Sequence, residues 1–204
     1  MNTATLKYNK ALVLYGSPHK DGHTAKLLAL FQETFPLEYR QFNLYEMNVR
    51  PCIDCKVCAY QECPYNSDDM GIIIDEIKNA DIIICATPIY FNHVPASFKA
   101  MMDRCQQFYL RKKATGKTMF EKSRLGILLT TAGSKDKKVT DAIYNVFMML
   151  FRCFEAEFVE HIAVENTDNT VCFKINKDNI STAMPIIAIA QNRLCHGNLS
   201  IIRC

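Results

Sequence analysis

Ala11-Leu-Val-Leu-Tyr15 runs directly into Gly16-Ser-Pro-His-Lys-Asp-Gly-His-Thr24, and the reading of this passage decides the fold class. Five successive apolar or aromatic residues leave no polar face for water, so they predict a strand covered on both sides, the pattern of a parallel sheet. Gly16, Ser17 and Pro18 then stop the strand. Past Gly22, the residues Ala25, Leu27, Leu28, Leu30 and Phe31 recur at helical spacing, with Thr24 near the helix start. Strand, loop and helix in that order form the unit of a doubly wound α/β sheet.

The unit recurs downstream. Asp81-Ile-Ile-Ile-Cys-Ala86 is apolar and β-branched, halts at Thr87-Pro88, and predicts a central strand followed by a helix over 95–107. Residues 124–130 predict another buried strand, ending in Thr131-Ala-Gly-Ser134 and leading to a helix over 136–151. A looser alternation predicts a strand at 38–45, and 157–164 predicts the final strand. A helix opens at Ser67-Asp-Asp-Met70, where Ser67 or Asp68 can cap it, and a last helix is expected over 180–194. The expected architecture is one α/β domain over 1–204, a doubly wound five-stranded parallel sheet with helices on both faces. A cysteine-rich insertion interrupts it at 50–66, and a basic surface arm at 109–123. In such sheets ligands bind beyond the carboxyl ends of the strands, so the loops at Gly16, Thr87 and Thr131 should converge.

Composition narrows the function classes. A chain of 204 residues with 49% hydrophobic and 22% charged residues is globular rather than disordered. The net charge of +3 comes from Lys and Arg scattered among acids, which implies neither nucleic acid nor a membrane surface as partner. Apolar stretches such as 146–151 and 185–190 fall far short of the ~20 residues of a membrane span. The polar first ten residues lack a signal-peptide core, so a cytoplasmic protein is expected.

The first loop is suited to an anion, because backbone N–H groups and the helix dipole favour negative charge at a helix start. Ser17 and Thr24 add hydroxyl donors, and Gly22 permits either close backbone approach or a positive φ. Neither G-x-x-x-x-G-K-[ST] nor G-x-G-x-x-G is present, so a mononucleotide phosphate is the remaining expectation.

Ten cysteines are present, and Cys52, Cys55, Cys58 and Cys63 form C-x2-C-x2-C-x4-C with Pro64 next. In a reducing compartment such a cluster more often binds metal or does redox chemistry than forms disulfides. The bacterial ferredoxin run is C-x2-C-x2-C-x3-C-P; the additional spacer residue here would let Cys63 turn back to the same cluster. Uncoordinated thiols are the competing reading. Zinc fits less well, since structural zinc sites usually space two cysteine pairs by a dozen or more residues. Cys85 and Cys105 sit in apolar patterns and are expected to be inert core residues.

Taken together, Gly16-Ser17-Pro18 with Gly22-His23-Thr24, Pro51-Cys-Ile-Asp-Cys55 with Asp68-Asp69-Met70, and Thr87-Pro88-Ile89-Tyr90 with Pro95-Ala-Ser-Phe-Lys99 and Asp103-Arg104 resemble the flavodoxin-like NAD(P)H-dependent FMN reductase family, in particular its iron–sulfur flavoprotein branch. The resemblance covers roughly residues 11–134 and implies a flavodoxin-like fold. It implies that Ser17, His19, Gly22, His23 and Thr24 hold the FMN phosphate, and that Pro88, Ile89, Tyr90, Phe91 and Asn92 border the isoalloxazine. Thr131 and Gly133 would complete the pocket. It also implies one [4Fe-4S] cluster on Cys52, Cys55, Cys58 and Cys63. Two positions depart from the family pattern: His19 stands for its arginine and His23 for its asparagine, so phosphate affinity would vary with pH if either imidazole touches it.

The implied activity is a flavin oxidoreductase that takes a hydride from NAD(P)H, or electrons from a carrier, onto bound FMN and passes them to a small-molecule or protein acceptor. The alternative is an iron–sulfur flavoprotein exchanging electrons with a ferredoxin-like partner; a flavin sensor would use the same pocket. No side-chain acid or base is demanded, so no catalytic residue is named. A homodimer or homotetramer is expected from the relatives, with the 109–123 arm as a contact.

Overall fold

Strands whose side chains are apolar on both faces can only be stable between two layers of helices. That condition places two of them at the centre of the sheet. In the computed structural model, which describes residues 10–168, every residue of strands Ile82–Pro88 and Arg124–Thr131 is buried. We number the strands β1 (Lys10–Tyr15), β2 (Glu38–Asn43), β3 (Ile82–Pro88), β4 (Arg124–Thr131) and β5 (Ala156–Val164). They pair in the order β2-β1-β3-β4-β5, all parallel. The chain steps outward from β1 to β2 and then returns past β1 to β3, so the topological switch point lies between β1 and β3.

The helices are α1 (His23–Thr34), α2 (Met70–Asn79), α3 (Ala96–Arg104), α4 (Gln106–Thr115) and α5 (Lys137–Cys153). One sheet face packs Leu27, Leu28 and Phe31 of α1 against Val13, Ile82, Ile84 and Leu129. The other packs Ile73 and Ile77 of α2, Phe98 and Met101 of α3, and Phe147 and Phe151 of α5 against Leu12, Leu14, Ile83 and Leu128. Alternate residues of one strand thus feed opposite cores, which is the period-two geometry of a pleated sheet.

Four expectations are corrected. The helix expected over 95–107 ends at Arg104, where a turn at Cys105 starts α4. The expected arm over 109–123 is helical as far as Thr115. Leu110, Arg111, Lys112, Lys113 and Ala114 are strong helix formers, and the helix stops only at Gly116, whose φ of 70° closes it by an N–H bond to the Lys112 carbonyl. Neither Ser67 nor Asp68 stands at the N-cap of α2; Asp69 does, while Asp68 still accepts from the Met70 N–H at 3.0 Å. The strand expected over 38–45 stops at Asn43. The helix expected over 180–194 lies outside the described residues.

Candidate functional site

The three predicted loops do converge. The Gly16 N–H donates to the Ala86 carbonyl at 2.8 Å and the Ile89 N–H to the Thr131 carbonyl at 2.8 Å. The Thr24 and Thr131 hydroxyls lie 2.7 Å apart across 107 residues of sequence. Gly16 is needed for this approach: a Cβ there would fall 2.4 Å from the Phe98 ring.

The first loop ends at Gly22, the N-cap of α1, with no side chain capping the helix. Gly22 has φ −72°, so of its two expected uses only close approach holds; a Cβ would press on that of His19 at 3.1 Å. Ser17 is buried and its hydroxyl accepts from the His19 N–H at 3.2 Å, while Tyr15 donates to the His19 carbonyl at 2.6 Å. The loop is therefore pinned at both ends with its tip exposed. Lys20, the loop's lysine, is turned to Glu46 at 2.7 Å, leaving His19 and His23 as the loop's other basic side chains.

After buried Pro88 and half-buried Ile89, residues 90–93 form a tight turn in which Tyr90 and His93 exchange both backbone hydrogen bonds, at 2.8 and 3.0 Å. Phe91 (φ 50°) and Asn92 (φ 62°) occupy its two central positions, both left-handed. That is the geometry of a type I′ turn, where Asn-Gly is preferred, and a bulky aromatic at the first position is strained. Phe91 is fully exposed. Ile89, Phe91, Asn92 and Gly133 border a cavity that continues between β5 and α5 to His161, Thr140 and Glu165. Burial pulls the His161 pKa down to about 4 against the opposing charge of Glu165, so the ring is neutral, and its Nε2 lies 2.8 Å from the Thr130 hydroxyl. His161 carries no motif; its place in the cavity follows from the pairing of β5 with β4.

The four clustered cysteines line a second, smaller cavity together with Tyr65, Arg104 and Gln107. Asp54 (φ 56°) and Lys56 (φ 62°) bend the chain between them, and Cys58 sits on a short 3-10 turn over Val57–Ala59. Burial pushes the Cys58 thiol up, and Cys63 adds to it. Among the described residues no three His, Cys, Asp or Glu side chains stand in a ready coordination geometry. The donor set nevertheless fits a sulfur-ligated centre: four cysteines line one space, and Arg104, which lines it too, carries a buried Nε–H with no partner. Sequence reading treated Asp68 and Asp69 as helix-start residues. Both turn back to the chain entering the cysteine segment, Asp69 accepting from the Asn48 N–H at 2.7 Å and Asp68 from the Arg50 N–H at 2.9 Å. Cys85 and Cys105 are buried, and burial raises both thiols, as expected of inert core residues.

A 2-1-3-4-5 parallel sheet with Ser-, Thr- and Gly-rich loops gathered beyond its strand ends defines a flavodoxin-like α/β protein. Residues 9–164 match the NADPH-dependent FMN reductase family, and the chain belongs to that family of oxidoreductases. Its sequence is 34% identical over 132 residues to an iron–sulfur flavoprotein of Methanocaldococcus jannaschii, covering 60% of this chain and 67% of the relative. An iron–sulfur flavoprotein of Methanosarcina thermophila is 31% identical over 124 residues, covering 59% of this chain and 62% of the relative. Among solved structures, an FMN-dependent NADH-azoreductase from Bacillus anthracis in complex with FMN superposes with a TM-score of 0.62 at 18% identity, over 91% of this chain and 99% of that one. An NAD(P)H:quinone oxidoreductase from Methanothermobacter marburgensis gives 0.58 at 15%, over 92% and 96%. At these identities the likeness is one of fold. No helix among the described residues is long and apolar enough to cross a membrane.

Proposed function

We propose that this protein is an FMN-dependent oxidoreductase that takes reducing equivalents from NAD(P)H, or from an electron carrier, and passes them to an acceptor. The observation that carries this reading is the bonded convergence of the three loops: Thr24 to Thr131, and Ile89 to Thr131, at the switch point of the sheet. The residues fit a flavin mononucleotide. The start of α1, uncapped by any side chain, with Ser17 and Thr24 would hold the phosphate, and His19, close to Gly22, and His23, the first residue of α1, would stand at its rim. Pro88, Ile89, Tyr90, Phe91 and Asn92 would border the ring, and Thr131 and Gly133 would complete the pocket from the neighbouring strand. Bound FMN would supply hydride and electron acceptance. The chain's own residues bind, orient and shield it, and none is required to move a proton.

A second reading, electron transfer with a ferredoxin-like partner through one [4Fe-4S] centre, is favoured by the single cavity shared by Cys52, Cys55, Cys58 and Cys63 and by the names of the relatives. Homodimeric or homotetrameric assembly belongs to the same proposal, with exposed Phe91 beside the pocket as a contact. Anaerobic purification with an absorption spectrum and an iron and sulfide assay separates the readings. A flavin spectrum without iron, bleached by NADPH, supports the reductase; a brown protein inert to nicotinamide but reduced by ferredoxin overturns it in favour of electron transfer. A chain that binds no FMN overturns both.

A further inference from the structure

Arg104 and Arg124 are the largest fully buried side chains, and Arg104 is the one that borders the four-cysteine cavity. Its side chain is 1% exposed and that of its partner Asp68 5%, with Nη1 to Oδ2 at 2.7 Å. Nη1 also donates to the Arg50 carbonyl at 3.1 Å, and Nη2 to the Asn66 side-chain oxygen at 2.9 Å. Arg50 precedes the first cysteine of the segment and Asn66 follows the last, so one guanidinium holds both ends of the loop. Tyr65 lies beneath it, 5.9 Å from ring centre to cation, and Gln107 bonds Asn66 from α4 at 2.9 Å. The buried pair is strong where both charges are matched by further hydrogen bonds, as here.

The guanidinium is not fully used. Its Nε–H is buried without a partner, in a side chain that walls the four-cysteine cavity. An unmet buried donor costs free energy unless something in the adjoining space accepts from it. Thiols are weak acceptors, whereas sulfur carrying negative charge in a metal centre is a good one.

We propose that Arg104 is the positioning residue of the four-cysteine cavity: it clamps both ends of the cysteine loop and presents its free Nε–H to the anionic sulfur of a metal centre ligated there. The inference rests on the iron–sulfur reading of the cavity. A donor to such sulfur favours the more negative, reduced state and so raises the reduction potential. Arg104 also ends α3, whose first residue, Ala96, follows the loop bordering the flavin pocket; nine residues of helix span about 12 Å, so one rigid element joins the two sites.

The test uses the full chain reconstituted anaerobically with iron and sulfide. R104K keeps a cation for Asp68 but lacks the guanidinium Nε–H. R104M/D68N removes both charges together, so that no carboxylate is left buried alone. R104K should take up iron and sulfide at the wild-type ratio and show a lower midpoint potential in a spectroelectrochemical titration. In the metal-free protein, Cys58 should be alkylated several-fold faster in R104M/D68N than in wild type. An unchanged potential in R104K overturns the donor role, and unchanged Cys58 alkylation overturns the clamp. A wild-type chain that takes up no iron overturns the cluster reading and the donor role with it, while the alkylation result still decides the clamp.

Discussion

Replacing His161 by Gln should make the protein less sensitive to acid. His161 is held neutral because burial lowers its pKa to about 4 from 6.5, with Nε2 paired to the Thr130 hydroxyl at 2.8 Å. Its folded pKa lies below its unfolded one, so as pH falls the unfolded chain takes the proton first. The contribution is complete above about pH 6.5 and is lost as pH falls towards 4. A shift of roughly 2.5 units corresponds to on the order of 3 kcal/mol in full, and linkage places about 2 kcal/mol of it between about pH 7.5 and about pH 5. At a urea slope of about 2.5 kcal/mol/M, wild type should lose about 0.8 M in unfolding midpoint over that interval beyond whatever the variant loses. Gln can retain a bond to Thr130 and carries no titrating group. Urea melts followed by far-UV circular dichroism at the two pH values measure the difference. Equal acid sensitivity in the two proteins would refute the reasoning, because it would mean that the ring is protonated in the folded state or that Glu165 compensates it.

Three further outcomes follow from other parts of the structure. Ser17→Ala should weaken FMN binding about tenfold or more, since each bond to a charged phosphate is worth roughly 1.5–3 kcal/mol; fluorescence titration of the flavin checks it, and an unchanged dissociation constant removes Ser17 from the site. Phe91→Gly should raise the midpoint of thermal unfolding followed by circular dichroism, because it relieves left-handed strain of about 1–3 kcal/mol at the cost of roughly 0.5–1 kcal/mol in chain entropy. Arg124→Met should destabilise by about 3 kcal/mol or more, measured by chemical denaturation, because the buried guanidinium donates to the carbonyls of Ile77 at 2.7 Å, Lys78 at 3.0 Å and Phe154 at 3.1 Å, and also to that of Lys122.

Strand cores, helix faces and the three ligand loops were legible because each is a local pattern. An apolar run such as Ile82-Ile-Ile-Cys85 has one stable environment, and Gly, Ser, Thr and Pro at its end announce the turn. The misread stretch at 109–115 shows the limit of that reasoning: charge suggested a solvated arm, while helix propensity and Gly116 wrote a helix. His161 and Arg104 were illegible for a different reason. His161 belongs to no motif, and Arg104, although part of the Asp103-Arg104 match, has no role that a motif states; each acquires its neighbours from elements distant in sequence, Thr130 for one and Asp68 for the other.

By itself, then, the sequence determined the alternation of strands and helices, the family resemblance and the four-cysteine spacing, since backbone propensity and periodicity act over a few residues. Tertiary structure alone decided that Thr24 meets Thr131, that four cysteines and an arginine share one cavity, and that a histidine is stripped of its charge. These depend on burial and on approach between remote segments, which hydrophobic packing of the whole sheet brings about and no short stretch of chain encodes.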